Sequence, residues 1–307
     1  MDCRFDEDLV REEIQKKVSL LQDKVNEFIL EKAWIRFDKA GFKPILIKGW
    51  IAAQMYPEPY RRRYTDLDFL IAPSCYEQAA EFLEKSEEDL PVDLHKGIRH
   101  LDTVSFENLF ANSIFIKCGE TEIRVLRAED HLRVLCVHWL TDGGANREKL
   151  WDIYYAVANR PEDFDWERCL DVVSQKRRRW IICTIGLAHR YLGLFIDDLA
   201  FADEAKNTLP KWMLKTVEKE WNDNSVRLGS LSSSLHDKKQ LFRQIRKRIP
   251  PNPIQATVDM EGEFDNRRRI FYQIGDIFLR LKPSLERVIK SIVGDWRKKN
   301  GKRTANE

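Results

Sequence analysis

The sequence predicts an α+β protein in which a small mixed β-sheet core is followed by a mainly α-helical C-terminal domain. Three observations predict it. Apolar residues recur at helical spacing from about Glu7 to Lys39. Five short β-like runs then fall between Pro44 and Leu126, separated by Gly, Pro and two helical segments. From Arg127 onward the apolar pattern is helical almost throughout.

In the first helix, Val18, Leu21, Val25, Phe28, Ile29, Ala33 and Phe37 carry the period, and Gly41 ends it. Pro44-Ile45-Leu46-Ile47 reads as a short buried strand that runs into Lys48-Gly49. Trp50 to Met55 has the character of a helix start, which Pro57 and Pro59 break before the basic run Arg61-Arg62-Arg63. The segment Tyr64–Ile71 alternates as a strand, Cys75–Lys85 as a helix, and Pro91–His95 as a second strand. Ile114–Lys117 and Glu122–Leu126 form a further pair split by a turn at Gly119. Leu132, Leu135 and Trp139 mark one later helix, and Trp151, Tyr154 and Tyr155 another.

The expected organisation is an α/β domain over residues 1–127 and a helical domain over 128–296, with a basic tail over 297–307 expected to be disordered. Within the helical part, the Ser-rich stretch from Val226 to Asp237 reads as a loop, and Pro250-Pro251-Asn252-Pro253 as an interruption.

Composition excludes several classes. Lys plus Arg number 52 against 50 Asp plus Glu, so the formal net charge of +2 gives no global case for nucleic acid or an acidic membrane. The N-terminal region is too charged for a signal peptide, and no uncharged run approaches the roughly 20 residues of a membrane span. A cytoplasmic protein without membrane partners is expected. The six cysteines form no C-x-x-C pair and are expected as buried small hydrophobes. Walker A, G-x-G-x-x-G, G-x-S-x-G and H-E-x-x-H patterns are all absent.

The chemistry is concentrated in Asp66-Leu67-Asp68-Phe69-Leu70-Ile71 and Val92-Asp93-Leu94-His95. In an extended strand, Asp66 and Asp68 share one face while Leu67, Phe69 and Ile71 enter a core. If the second run pairs beside the first, Asp93 joins them. Three carboxylates so placed repel one another unless a divalent cation neutralises them, which points to a magnesium site at the sheet edge.

These segments, taken with Leu46-Ile47-Lys48-Gly49, Tyr56-Pro57, Arg61-Arg62-Arg63, His138 and Trp151-Asp152, resemble the bacterial nucleotidyltransferase-like proteins of the DNA polymerase beta superfamily. The resemblance is best over about residues 30 to 160. It implies a minimal mixed sheet with an attached helical domain, and metal-dependent nucleotidyl transfer. Asp66 and Asp68 would match the paired metal ligands, and Asp93 the third carboxylate, which also helps deprotonate the acceptor. Lys48-Gly49 stands where the wider superfamily has Gly-Gly or Gly-Ser. A Lys at a strand end beside a Gly at a helix start offers positive charge and free backbone N–H groups to a phosphate.

The implied cofactor is Mg2+ or Mn2+, with a nucleoside triphosphate as donor. Lys48 and one or two of Arg61, Arg62 and Arg63 would offset phosphoryl charge. The resemblance turns His138 toward the cleft, with Asp152 orienting it or a substrate group. His131, seven residues earlier, shares its helix face. His95 lies on the Asp93 face, as a site residue or as a structural one. The expected acceptor is a hydroxyl or phosphate on a small molecule, peptide or protein. Two alternatives are a toxin-like enzyme acting on tRNA and a catalytically degenerate regulator. Only Arg177-Arg178-Arg179 and the Lys238–Arg248 segment support the RNA reading, and a solvated helix face is the simpler account of both. The oligomeric state is left open.

Overall fold

The computed structural model describes residues 3–58, 62–223 and 237–280. The chain divides into two compact units, residues 1–138 with 148–207, and residues 139–147 with 208–307. The basic tail expected at 297–307 and residues 226–236 of the Ser-rich segment lie outside the described residues.

The first half of the chain runs α1 (Cys3–Lys39), β1 (Ile45–Ile47), α2 (Gly49–Gln54), β2 (Leu67–Leu70), α3 (Tyr76–Glu84), β3 (Val92–His95), a 3-10 turn (Arg99–Leu101), α4 (Phe106–Asn112), β4 (Ile114–Cys118) and β5 (Thr121–Val125). Helices follow: α5 (Ala128–Thr141), α6 (Glu148–Ala158), α7 (Trp166–Leu170), α8 (Gln175–Leu192), α9 (Ala202–Asn207), α10 (Lys211–Asn222), α11 (Lys238–Arg248) and α12 (Pro253–Asp259). The expected α+β architecture is therefore present, and each of the five β-like runs contributes a strand.

The sheet order is β3-β2-β1-β5-β4. β1 is antiparallel to β2 and parallel to β5, β2 is parallel to β3, and β4 is antiparallel to β5, so the sheet is mixed. Gly119, at φ 59, sits in the two-residue turn between β4 and β5, a backbone region that glycine enters freely.

Alternation along the strands splits the core between the two faces of the sheet. Leu46, Leu67, Phe69 and Ile71 pack with Leu30, Ala33, Trp34 and Phe37 of α1 and Ala79 of α3. The aromatic rings of this layer meet edge to face: Phe69 lies 5.8 Å from Trp34 and 5.2 Å from Phe37, and Phe37 lies 5.4 Å from Phe82. On the other face Ile45, Ile47 and Leu70 pack with Leu101, Leu109, Leu126 and Val134. Among the described residues, only the C-terminal part of α1 enters this core.

Two caps show why the chain turns where it does. Ser105 and Ser174 accept hydrogen bonds from the backbone N–H groups of Asn108 and Arg177, opening α4 and α8. Gly193, at φ 74, closes α8 in the left-handed conformation. Four of the cysteines, Cys118, Cys136, Cys169 and Cys183, are buried free thiols, as expected of small hydrophobes.

Phe69 is fully buried at the centre of the aromatic layer. Phe69→Ala is expected to lower stability by about 3–5 kcal/mol, measured as a reduced midpoint in urea unfolding.

Candidate functional site

β2 carries the site because both of its faces are buried. Leu67 and Phe69 point into the α1 layer, which turns Asp68 to the opposite face with Leu70. β3 runs parallel to it in a register that sets Asp93 directly beside Asp68. His95, two residues further on, shares the face of Asp93. One ligand atom from each of Asp68, Asp93 and His95 lies within 4.8 Å of the other two. Asp68 is buried, His95 is half-buried and Asp93 is exposed.

Lys48 completes the cluster from the end of β1. Its Nζ lies 2.7 Å from Asp68 Oδ1, and His95 Nε2 lies 2.8 Å from the same oxygen and 3.4 Å from Asp93 Oδ2. Lys48 adopts φ 58 and ψ −149, a region that residues other than glycine seldom occupy and that costs roughly 1–3 kcal/mol. Gly49 follows at φ 37, and a Cβ there would sit 3.3 Å from the carbonyl oxygen of Asp66. The Lys-Gly pair thus places a charged side chain and a bare backbone together at the start of α2.

Burial works against ionisation of Asp68, but hydrogen bonds from His95 and Lys48 and their positive charge outweigh it. The carboxyl is held below its ordinary range and stays an acceptor. Two carboxylates and an imidazole in one small volume form a donor set suited to a divalent cation, with oxygen favouring Mg2+ and the imidazole tolerated by Mn2+.

The other expected residues fall into separate places. Asp66 precedes β2, is exposed, and has its own neighbour Thr65 as a hydroxyl donor at 3.4 Å; it is not in the Asp68 group. Arg62 Nε pairs with Asp152 Oδ2 at 3.1 Å, and the Tyr56 hydroxyl donates to Asp152 Oδ1 at 2.7 Å. Burial raises the Asp152 pKa, against the pull of Arg62 and Tyr56. Burial and the Asp152 charge push the Tyr56 hydroxyl well above its ordinary value. Tyr56 also lies 4.5 Å from the ring of Tyr155, which stacks on Trp151 at 5.7 Å. Arg63 is exposed, and Arg61 lies outside the described residues.

His131 and His138 share a helix face by spacing, yet burial separates them. His131 is fully buried with neither ring nitrogen hydrogen-bonded. His138 is half-buried, its Nε2 lies 3.1 Å from Lys149 Nζ, and its ring is 6.4 Å from that of His100. Tyr56, His100 and Lys149 were not singled out from the sequence as site residues. Tyr56 was within reach, since Tyr56-Pro57 belongs to the resemblance; no spacing signals the other two. Of the basic runs, Arg177 pairs with Asp102, and Arg178 and Arg179 share Glu204, so this run is a largely ion-paired face. Arg243 and Arg246 of α11 instead line a cavity of about 750 Å³ with Lys215 and Lys219 of α10, in the second unit.

His100 and His131 are both pushed down to about 3, by burial first and then by neighbouring positive charge: His138 and Lys48 beside His100, Arg62 beside His131. With folded values below the ordinary 6.5, the unfolded chain takes up protons that the folded one refuses, so stability is full above that pH and falls below it. Each histidine costs about 1.4 kcal/mol per pH unit in this limb. Urea unfolding from pH 8 to 4.5 is expected to show the decline, with a shallower slope in His131→Met.

No curated protein and no solved structure matches the chain. A family model described as an uncharacterised nucleotidyltransferase matches residues 10–193, which is more than half of the sequence and includes every residue of the Lys48, Asp68, Asp93 and His95 cluster. The chain belongs to this nucleotidyltransferase family.

Proposed function

We propose that this chain is a cytoplasmic enzyme that moves a nucleotidyl group from a nucleoside triphosphate to a hydroxyl or phosphate acceptor on a small molecule, peptide or protein. Mg2+ or Mn2+ would be held by Asp68 and Asp93, with His95 beside them. The observation that carries this reading is the β2–β3 register, which sets the two carboxylates side by side one hydrogen bond away from Lys48. Asp66, one residue outside β2, is the third carboxylate of the proposal and would join from its exposed position.

The bound ion supplies charge neutralisation at the phosphates and a lowered pKa at the acceptor hydroxyl. The chain's own groups do the rest. Asp93 is exposed, so it can meet an incoming acceptor and take the hydroxyl proton directly or through water. The acceptor oxygen then bonds to the α-phosphorus as the bond to pyrophosphate breaks. Lys48 and the Gly49 backbone face the triphosphate, and Lys48 trades its contact with Asp68 for one with phosphate oxygen. Arg62 is held in place by the buried Asp152, which fixes where its guanidinium stands. Arg63 and His138 are further phosphate contacts in this reading.

Asp93→Asn is expected to keep the fold, because the side chain is exposed, and to cut pyrophosphate release about 10²–10⁴-fold, the usual worth of a general base. Full turnover in that variant would overturn the assignment. A thermal-shift series with the four nucleoside triphosphates, with and without Mg2+ or Mn2+, is expected to show a metal-dependent rise for at least one nucleotide, and none in Asp68→Asn. A nucleotide shift indifferent to metal and unchanged in Asp68→Asn would place the donor elsewhere.

A further inference from the structure

Four cations of the second unit line one cavity of about 750 Å³. Lys215 and Lys219 lie one turn apart on α10, and Arg243 and Arg246 lie one turn apart on α11. Within each pair the Cβ atoms are therefore about 5–6 Å apart. None of the four side chains has an ion-pair or hydrogen-bond partner among the described residues. In the same unit Arg267, Arg269 and Arg280 each meet an aspartate. Two carboxylates, Glu220 and Asp223, share the lining, and Glu220 accepts a hydrogen bond from Asn252 Nδ2 at 3.0 Å.

The neutral polar side chains of the lining are already occupied within the protein. The Thr216 hydroxyl donates to the Trp212 carbonyl at 2.8 Å, and Gln273 Nε2 to the Pro251 carbonyl at 2.6 Å. Asn252 is fixed twice over: its Oδ1 accepts from the N–H groups of Ile254 and Gln255 to open α12, and its Nδ2 also donates to the Gly143 carbonyl at 3.0 Å. Pro250, Pro251 and Pro253 complete this wall and bring no side-chain donor. The groups that the cavity holds ready for a ligand are thus the four cations.

We propose that this cavity binds a small molecule carrying two or more phosphate groups, through residues none of which belongs to the Asp68 cluster. Like charges gathered on one cavity without carboxylate partners repel one another, and an anion between them relieves the repulsion. A guanidinium fork matches the oxygens of a phosphate, and the ammonium groups add point charges. One pair of cations on each helix makes two anion stations, which a single phosphate does not fill. The volume falls in the range of about 300–1,000 Å³ usual for small-molecule sites. A nucleic-acid strand calls for aromatic side chains on which bases stack, and none of the described lining residues is aromatic. The inference does not rest on nucleotidyl transfer in the first unit.

The test is calorimetric titration of the full chain with inorganic tripolyphosphate in EDTA, in a Lys48→Gly background that removes the cation at the Asp68 cluster; glycine suits φ 58 at that position. One saturable site per chain is expected. Arg243→Gln with Arg246→Gln, and separately Lys215→Gln with Lys219→Gln, are each expected to weaken it about 10–100-fold. All four positions are exposed, so the far-UV spectrum is expected to stay unchanged. Lys238→Gln with Lys239→Gln removes the same charge from α11 outside the cavity lining, and at about 0.15 M salt is expected to leave affinity within about twofold. Absence of binding, or an equal loss in the Lys238 and Lys239 pair, overturns the proposal. A short oligouridylate that binds more tightly than tripolyphosphate and is lost in the same two cavity variants overturns the small-molecule assignment.

Discussion

A carboxylate inside a strand whose two faces are buried is an expensive object, and the region around β2 is arranged around that expense. Removing Asp68 from water without compensation would cost several kcal/mol or neutralise it. Two donors on one oxygen prevent this, and each is set by a different piece of backbone. His95 arrives because β3 runs parallel to β2 in a fixed register; Lys48 arrives because the chain accepts a disfavoured conformation at the end of β1. A one-residue slip of β3 would turn both Asp93 and His95 to the other face. The strain at Lys48 and the β2–β3 register are therefore two halves of one solution.

That solution leaves the cluster balanced by its own side chains. Lys48 and His95 already serve Asp68 Oδ1, so a divalent cation would have to enter by exchange with them rather than by filling a naked acidic pocket. Burial first, and then the positive charge of His138, Lys48, Arg99 and Arg177, holds the His100 ring well below its ordinary pKa.

Much of this was legible in the sequence where it depends on local pattern. Alternation placed Leu67 and Phe69 in the core and Asp68 opposite them, and the order of the β-like runs gave the mixed sheet its members. What the sequence could not show is set by distant contacts. The Leu67 N–H bonds to the Pro91 carbonyl, which starts the β2–β3 ladder at Leu67 and leaves Asp66 outside it. The Tyr56, Arg62 and Asp152 cluster joins residues as much as 96 positions apart. Helical spacing put His131 and His138 on one face, but tertiary packing buried the first and left the second beside Lys149. Arg177 to Arg179 looked like free positive charge until Asp102 and Glu204 appeared opposite them.

The path of the chain through its two units has a practical meaning for anyone cutting it. The first unit is interrupted by residues 139–147, which belong with the segment from 208 onward. Within that second unit Asn252 and Trp221 donate hydrogen bonds to the carbonyls of Gly143 and Gly144. A fragment ending near residue 207 would keep this excursion but lose the groups that bind it, stranding Trp139 and its glycine turn without their surroundings. The unit that holds the Asp68 cluster is thus discontinuous in sequence, and no single scission separates the two units cleanly.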